Sequence, residues 1–179
     1  PNTQELVDKI CTLEAAEDGL AFASGMAAVY SSFAALLHSG DHIVSVRSVF
    51  GSTHSLFKKY FTKWNIETTY FNADSPEEIE EAIQPNTKII YIETPTNPGL
   101  DILDMSYLYE VAKKHQVLLV VDNCFATPYL QKPIHFGADL VIHSATKLID
   151  GQGRVLGGLI VGRQDLITEI KSFSRNTGA

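Results

Sequence analysis

The residues best suited to chemistry lie at the ends of two apolar segments. Residues 144–147 read Ser-Ala-Thr-Lys and follow an apolar run at 139–143, and Asp122 closes another at 117–121. Parallel strands end at a common edge, where open α/β sheets bind ligands, so we expect these side chains to meet there. A lysine amine, a carboxylate for a pyridinium nitrogen and two hydroxyls for a phosphate are what pyridoxal 5′-phosphate needs. The pattern predicts a site for that cofactor.

Lys147 and Asp122 each have a plainer interpretation that must be weighed. Most lysines are solvated, and a Ser-x-Thr-Lys string alone is more typical of a surface turn. Here Lys147 follows an apolar strand, where burial would lower its pKa and make it a usable nucleophile. Asp122 also ends an apolar strand, and an unpaired buried carboxylate is costly. A cation such as a protonated pyridine ring would offset that cost.

Three further segments place polar or aromatic groups at predicted strand ends. Gly25 and Met26 follow Ser24 at a strand-to-helix turn, where free N–H groups and the helix dipole favour a phosphate. By itself, a Ser at this position is more often only a helix cap. Asn97 lies in a Pro-rich turn that starts at Glu93, and Asn before Pro is a common turn initiator. Phe50 could stack on a planar cofactor or simply belong to the core.

Several competing motifs fail on their context. The glycines at 151 and 153 precede a strand rather than a helix, which is wrong for a dinucleotide loop. There is no Gly-Lys-Ser/Thr phosphate loop. His38 and His42 are separated by Ser39-Gly40, which breaks any shared helical face, so no metal site is predicted.

Composition limits the partners and the compartment. Fourteen Lys and Arg against 21 Asp and Glu give a net charge of −7, without blocks of like charge, so nucleic-acid and anionic-membrane binding have no electrostatic support. No apolar run reaches the ~20 residues of a membrane span, and no signal-peptide pattern is present. Cys11 and Cys124 are far apart, which argues against a disulfide framework and fits a reducing cytoplasm. Cys124 could be a reactive thiol, but a small buried side chain is favoured.

Strand and helix patterns alternate throughout the 179 residues, which are enough for one domain. We therefore predict an α/β fold with a mainly parallel seven-stranded sheet flanked by helices. Helices are predicted at 3–16, 24–37, 52–63, from 75, at 105–115 and from 164. Strands are predicted at 20–23, 42–46, 66–71, 88–92, 117–121, 139–143 and 155–161.

The motifs together resemble the cystathionine γ-synthase-like, or Cys/Met metabolism, family of pyridoxal 5′-phosphate enzymes. The matching segments are residues 23–28, 93–98, 121–123 with 126–128, and 143–147. The resemblance implies the large cofactor domain of fold-type I enzymes, which are aspartate aminotransferase-like. It also implies that the family's N-terminal arm and C-terminal substrate domain lie outside residues 1–179. These residues alone are then expected to be inactive.

The resemblance also assigns roles to nine residues, of which eight contact the cofactor and one, Glu93, supports a contact. Lys147 would carry the Schiff base, and Asp122 would pair with the ring nitrogen. Glu93 would support one of the ring contacts, Asn97. The phosphate would be bound by the backbone N–H groups of Gly25 and Met26 and by the hydroxyls of Ser144 and Thr146. Asn97 would lie near the phenolic oxygen of the ring, and Phe50 would stack on the ring.

Two features indicate a branch of the family. Residues 150–154 (Asp-Gly-Gln-Gly-Arg) resemble O-succinylhomoserine sulfhydrylases. Relatives that handle cystathionine tend to carry an Arg five residues beyond a stacking Tyr, whereas here Phe50 is followed by Ser55. The implied reaction joins O-succinyl- or O-acetylhomoserine with sulfide to give homocysteine, in a cytoplasmic homo-oligomer. The alternatives are a methionine γ-lyase, a cystathionine γ-synthase or lyase, and, from another class, a non-catalytic α/β assembly domain.

Overall fold

A seven-stranded sheet with helices packed on it forms the centre of the computed structural model, which describes residues 2–178. Pro1 and Ala179, the ends of the predicted domain, lie outside the described residues. The strands are β1 (Asp18–Phe22), β2 (His42–Val46), β3 (Glu67–Phe71), β4 (Thr87–Glu93), β5 (Leu118–Asp122), β6 (Leu140–Ser144) and β7 (Gly158–Gly162). The helices are α1 (Asn2–Glu14), α2 (Gly25–Leu36), α3 (Gly51–Ser55), α4 (Glu78–Ala82), α5 (Met105–His115), α6 (Thr127–Leu130) and α7 (Gln164–Thr177).

The sheet has the order β1-β7-β6-β5-β4-β2-β3 and is mixed rather than wholly parallel. The pairs among β2, β3, β4, β5 and β6 are parallel, whereas β7 runs antiparallel to both β6 and β1. A parallel return needs a crossover, usually a packed α-helix. Residues 145–157 form a π-helical turn (Ala145–Ile149) and a loop instead, so the chain returns beside β6 in the opposite direction.

Most positions within the central strands are apolar and buried, which is typical of parallel strands that are covered on both faces of the sheet. Side chains such as Ile43, Ile90, Leu119, Val141 and Ile160 are fully buried. Within residues 2–178, no helix combines the length and the apolar character needed to cross a membrane. The α/β class and the seven strands predicted from sequence are confirmed.

Three predicted boundaries are wrong. The helix predicted at 52–63 breaks into α3, a π-helical turn (Leu56–Tyr60) and a 3₁₀ turn (Phe61–Trp64). Packing overrides regular helical spacing there, because Phe57 and Phe61 are both fully buried with their rings stacked 5.8 Å apart. The helix predicted from residue 75 begins only at Glu78, whose carboxylate accepts the backbone N–H of Asn72. The last strand starts at Gly158 rather than 155.

Candidate active site

One cavity, of about 170 Å³, lies at the carboxyl edge of the sheet and is lined by all eight residues that the sequence assigned to a cofactor. These are Gly25, Met26, Phe50, Asn97, Asp122, Ser144, Thr146 and Lys147. Glu93, which follows the same strand-end pattern, also lines it, with Val29, Thr53, Cys124, Phe125 and Ile142. Sequence analysis missed the contribution of Thr53 and Phe125, because neither ends a strand or belongs to a recognisable motif.

The N-terminus of α2 forms one end of the cavity. Ser24 caps the helix, since its Oγ accepts the N–H of Ala27 at 3.1 Å and its carbonyl accepts that of Ala28. The N–H groups of Gly25 and Met26 are then left without a partner in the described chain. Two free N–H groups and the positive end of a 12-residue helix are suited to an anion such as a phosphate.

Close packing brings the end of β6 against this helix terminus. A Cβ placed on Gly25 would lie 2.7 Å from Cβ and 3.0 Å from Oγ of Ser144. A Cβ on Gly158, the first residue of β7, would overlap the carbonyl of Ser24. Both glycines are needed for this close approach, which places the hydroxyl of Ser144 beside the free N–H groups.

Thr146 and Lys147 follow β6 in the π-helical turn. The hydroxyl of Thr146 accepts the N–H of Gly157 at 3.1 Å and lies 3.3 Å from its carbonyl, so the turn is tied to the start of β7. Lys147 interrupts the turn with non-helical φ and ψ of −89° and −120°. Its side chain is exposed at the cavity. The predicted burial of Lys147 is therefore wrong. Strand β6 ends three residues before Lys147, so this side chain lies outside the buried part of the sheet.

Asp122 is buried at the end of β5, with 7% of its surface exposed. Its Oδ2 accepts the hydroxyl of Tyr91 at 3.1 Å, and its Oδ1 accepts the N–H of Cys124 at 3.1 Å. Burial, with the nearby carboxylates of Asp122 and Glu93, raises the pKa of Tyr91 well above its ordinary value. Tyr91 thus stays protonated and donates its hydroxyl hydrogen to the carboxylate of Asp122. Sequence analysis missed this residue because it lies inside strand β4.

Glu93, the last residue of β4, is also buried, and its Oε2 accepts the N–H of Phe50 at 2.8 Å. Burial and the charge of Asp122 raise the pKa of Glu93 to about 8, although the Phe50 N–H acts in the opposite direction. The predicted support of Asn97 by Glu93 is wrong in this structure, since Glu93 holds Phe50 instead. Asn97 lies in a loop fixed by Thr96, whose hydroxyl donates to Asp101 at 2.7 Å.

Cys124 lines the cavity as a neutral thiol. Burial, with the charge of Asp122, raises its pKa well above the ordinary value. Its Sγ accepts the N–H of Ser144 at 2.8 Å, which connects the ends of β5 and β6. The predicted role as a small buried side chain therefore fits better than that of a reactive thiolate.

A second polar cluster lies on the opposite face of the sheet, behind the strand ends. The fully buried Glu14 of α1 accepts Nε2 of His143 at 2.6 Å and Nδ2 of Asn123 at 2.9 Å. Asn123 also donates to the carbonyl of Gln131. Since His143 and Asn123 adjoin Ser144 and Asp122 in sequence, this cluster fixes the backbone that carries both.

The residues around the cavity fit pyridoxal 5′-phosphate. The free N–H groups of Gly25 and Met26, with the hydroxyl of Ser144, suit its phosphate. The buried carboxylate of Asp122 has no cationic partner among residues 2–178 and suits a protonated ring nitrogen. The amine of Lys147 makes no ion pair in the same part of the chain and is open to the cavity.

Comparisons with known proteins match the whole of this chain to one family. The family described as "Cys/Met metabolism PLP-dependent enzyme" matches residues 1–179. The chain is 46% identical to an O-succinylhomoserine sulfhydrylase of Pseudomonas aeruginosa, over 99% of this chain and 44% of that protein. It is also 46% identical to a cystathionine gamma-lyase of Bacillus subtilis, over 99% of this chain and 46% of the relative. The chain thus spans less than half the length of these curated relatives.

A solved structure gives the same result for the fold. The crystal structure of metB from Corynebacterium glutamicum superimposes with a TM-score of 0.96 at 41% identity, covering 99% of this chain and 46% of that one. The match covers nearly the whole chain, so the fold is shared with this solved structure. The chain belongs to the Cys/Met metabolism family of enzymes, whose cofactor is pyridoxal 5′-phosphate.

Proposed function

We propose that the intact protein catalyses a γ-replacement in which sulfide displaces the acyl group of O-succinyl- or O-acetylhomoserine and homocysteine is formed. Residues 1–179 would be its cofactor domain, of the fold-type I class, with the substrate domain elsewhere in a homo-oligomeric cytoplasmic enzyme. The observation that carries the proposal is the convergence of all eight predicted cofactor residues on one cavity. A non-catalytic assembly domain would have no need of this arrangement.

Each residue has a distinct task in this proposal. Gly25, Met26 and Ser144 bind the phosphate, which anchors the cofactor at the end of α2. Lys147 provides the primary amine that holds the cofactor covalently, and its freed Nζ then removes the proton from the substrate Cα. When bound, the cofactor supplies an electron sink for the charge left on that carbon.

Asp122 and Phe50 act on the ring of the cofactor. The carboxylate of Asp122 keeps the ring nitrogen protonated, and the hydroxyl of Tyr91 orients that carboxylate. Phe50, which is 41% exposed at the cavity, offers an aromatic face for stacking. It has no hydroxyl, so proton transfer by a phenol at this position is excluded.

Ser55 supports sulfide rather than cysteine as the acceptor. It is the last residue of α3, five residues beyond Phe50, where relatives that handle cystathionine tend to have an Arg. A Ser cannot form the bidentate, charge-assisted contact to the distal carboxylate of cystathionine. Such contacts are worth about 1.5–3 kcal/mol, or roughly ten- to a hundredfold in affinity.

The alternatives within the family are a methionine γ-lyase and a cystathionine γ-synthase or lyase. The similarity to a cystathionine gamma-lyase of B. subtilis, and to an L-methionine gamma-lyase of Fusobacterium nucleatum at 42% identity, favours these as second candidates. A lyase eliminates the γ-substituent without adding a thiol, so its product is a keto acid rather than homocysteine. Product analysis therefore separates the candidates.

Two experiments test the proposal. The intact protein is supplied with an O-acylhomoserine and equal sulfide and cysteine, and we expect homocysteine as the main product. Mainly cystathionine, or a keto acid without homocysteine, would refute the γ-replacement by sulfide. The loaded protein is also reduced with borohydride and mapped by mass spectrometry. We expect a pyridoxyl group on Lys147, and a group on Lys132 instead would overturn the site.

A further inference from the structure

Two carboxyl groups lie side by side at the bottom of the cavity. Glu93 and Asp122 are the last residues of the parallel neighbours β4 and β5, and their Cα atoms are paired in register. Residues that are paired in register on parallel strands point to the same face of the sheet, and neighbouring strands lie about 4.8 Å apart. The side chains of Glu93 and Asp122 therefore lie next to each other. Both line the cavity, with only 3% and 7% of their surfaces exposed.

This pair has no compensating positive charge within residues 2–178. None of the ion pairs in that range includes Glu93 or Asp122. Among the described residues, Asp122 accepts two donors, the hydroxyl of Tyr91 and the N–H of Cys124, whereas Glu93 accepts only the N–H of Phe50. Two buried carboxylates at this spacing do not both ionise readily, and the one with fewer donors keeps the proton.

We propose that Glu93 and Asp122 share one proton, held on Glu93, and that this proton is released when a cationic ring binds in the cavity. The identity of the ring as the protonated pyridine of pyridoxal 5′-phosphate rests on the proposed function. Burial and repulsion by Asp122 together keep Glu93 neutral, and a positive charge beside Asp122 cancels the repulsion. The ionised Glu93 then accepts the Phe50 N–H more strongly, since hydrogen bonds to charged groups are the stronger ones. Glu93 is thus a positioning residue for Phe50 that responds to the charge of the cofactor.

The other groups around Glu93 are consistent with this assignment. Burial and Asp122 raise the pKa of Glu93 to about 8 in the ligand-free site. Tyr91 on β4 and Cys124 after β5 have raised pKa values and stay neutral. Helices α2 and α3 contribute Met26, Val29 and Thr53, which carry no charge. Lys147, after β6, is the one cation lining the cavity within the described chain, and it is exposed.

The proton can be counted by calorimetry on the intact ligand-free protein. The probe is 4′-deoxypyridoxine 5′-phosphate, which keeps the protonated ring and the phosphate but has no aldehyde to react with Lys147. Binding is measured at about pH 7 in two buffers of different ionisation enthalpy. Glu93→Gln keeps an oxygen acceptor for Phe50 but cannot titrate. Glu78→Gln, which alters a hydrogen-bonded glutamate outside the cavity, is the matched control.

We expect the wild type and Glu78→Gln to release about 0.5–1 proton more per probe than Glu93→Gln. In the wild type this release falls toward zero as the pH rises past about 8, because Glu93 is then ionised before binding. Equal release from all three proteins, or release that does not fall with pH, would overturn the proposal. The wild-type pH series alone decides the question if Glu93→Gln does not fold.

Infrared difference spectroscopy separates this inference from the proposed function. In the ligand-free protein, we expect the carbonyl band of a protonated carboxyl group that disappears above about pH 8 and is absent from Glu93→Gln. If the band is present but the probe does not bind, the cofactor site is refuted while the shared proton stands. If the probe binds and no such band exists, the shared proton is refuted while the cofactor site stands.

Discussion

Substitution of Gly25 by alanine tests whether close packing creates the phosphate end of the cavity. The backbone conformation at Gly25 is allowed for any residue, so an alanine there would act by steric crowding rather than by backbone strain. The new Cβ would lie 2.7 Å from Cβ of Ser144, and α2 and β6 must separate by roughly 0.7 Å to reach ordinary contact. Overpacking of this kind costs about 1–3 kcal/mol of stability. Displaced N–H donors to a phosphate cost about tenfold to a hundredfold in cofactor affinity.

The control is Gly51→Ala, also at the first position of a helix, where a Cβ would meet no atom of residues 2–178 within 4 Å. We expect this control to be neutral or slightly stabilising, because alanine favours helix more than glycine does. Urea unfolding of the ligand-free proteins gives the free energies of unfolding, and absorbance titration gives the dissociation constants for pyridoxal 5′-phosphate. The packing argument is refuted if Gly25→Ala matches Gly51→Ala within about 0.5 kcal/mol and binds the cofactor equally well.

Two further predictions concern buried charge. Glu14→Ala removes the partner of the fully buried His143 and should lower the free energy of unfolding by about 3–5 kcal/mol, whereas Lys9→Ala, which removes an exposed ion pair, should change it little. Equal denaturation midpoints for the two variants would contradict the importance of the buried cluster. The pKa of Glu93 is about 8 in the folded protein and about 4.5 in the unfolded chain. At a pH between these two values, unfolding therefore releases a proton from Glu93. Stability of the ligand-free protein should therefore fall as the pH rises from about 4.5 to about 8, and Glu93→Gln should flatten that part of the urea-denaturation profile. An unchanged profile would show that the proton is held elsewhere.

The elements and the residue types of the site could be predicted from the sequence. Apolar runs define β4, β5 and β6, and the polar residues at the end of each run are a local feature of the chain. Because parallel strands end at one edge, Asp122 and Ser144 could be placed together without coordinates. Gly25 could be singled out because it lies at a predicted strand-to-helix turn. Its close packing against Ser144, which requires a glycine, could not be predicted.

Local patterns could not predict contacts that depend on strand order and register. The antiparallel direction of β7 follows from a crossover that lacks a packed helix, and Lys147 is exposed because β6 ends three residues before it. The side-by-side carboxyl groups of Glu93 and Asp122 are separated by 28 intervening residues in sequence and meet only through the β4–β5 register. Glu14 reaches His143 across 129 positions. The sequence by itself determined which chemical groups are present at the strand ends. Only the tertiary structure decided which of these groups share a proton, which form hydrogen bonds and which are exposed to solvent. The energies of such interactions depend on distances and burial that arise only when distant segments of the chain pack together.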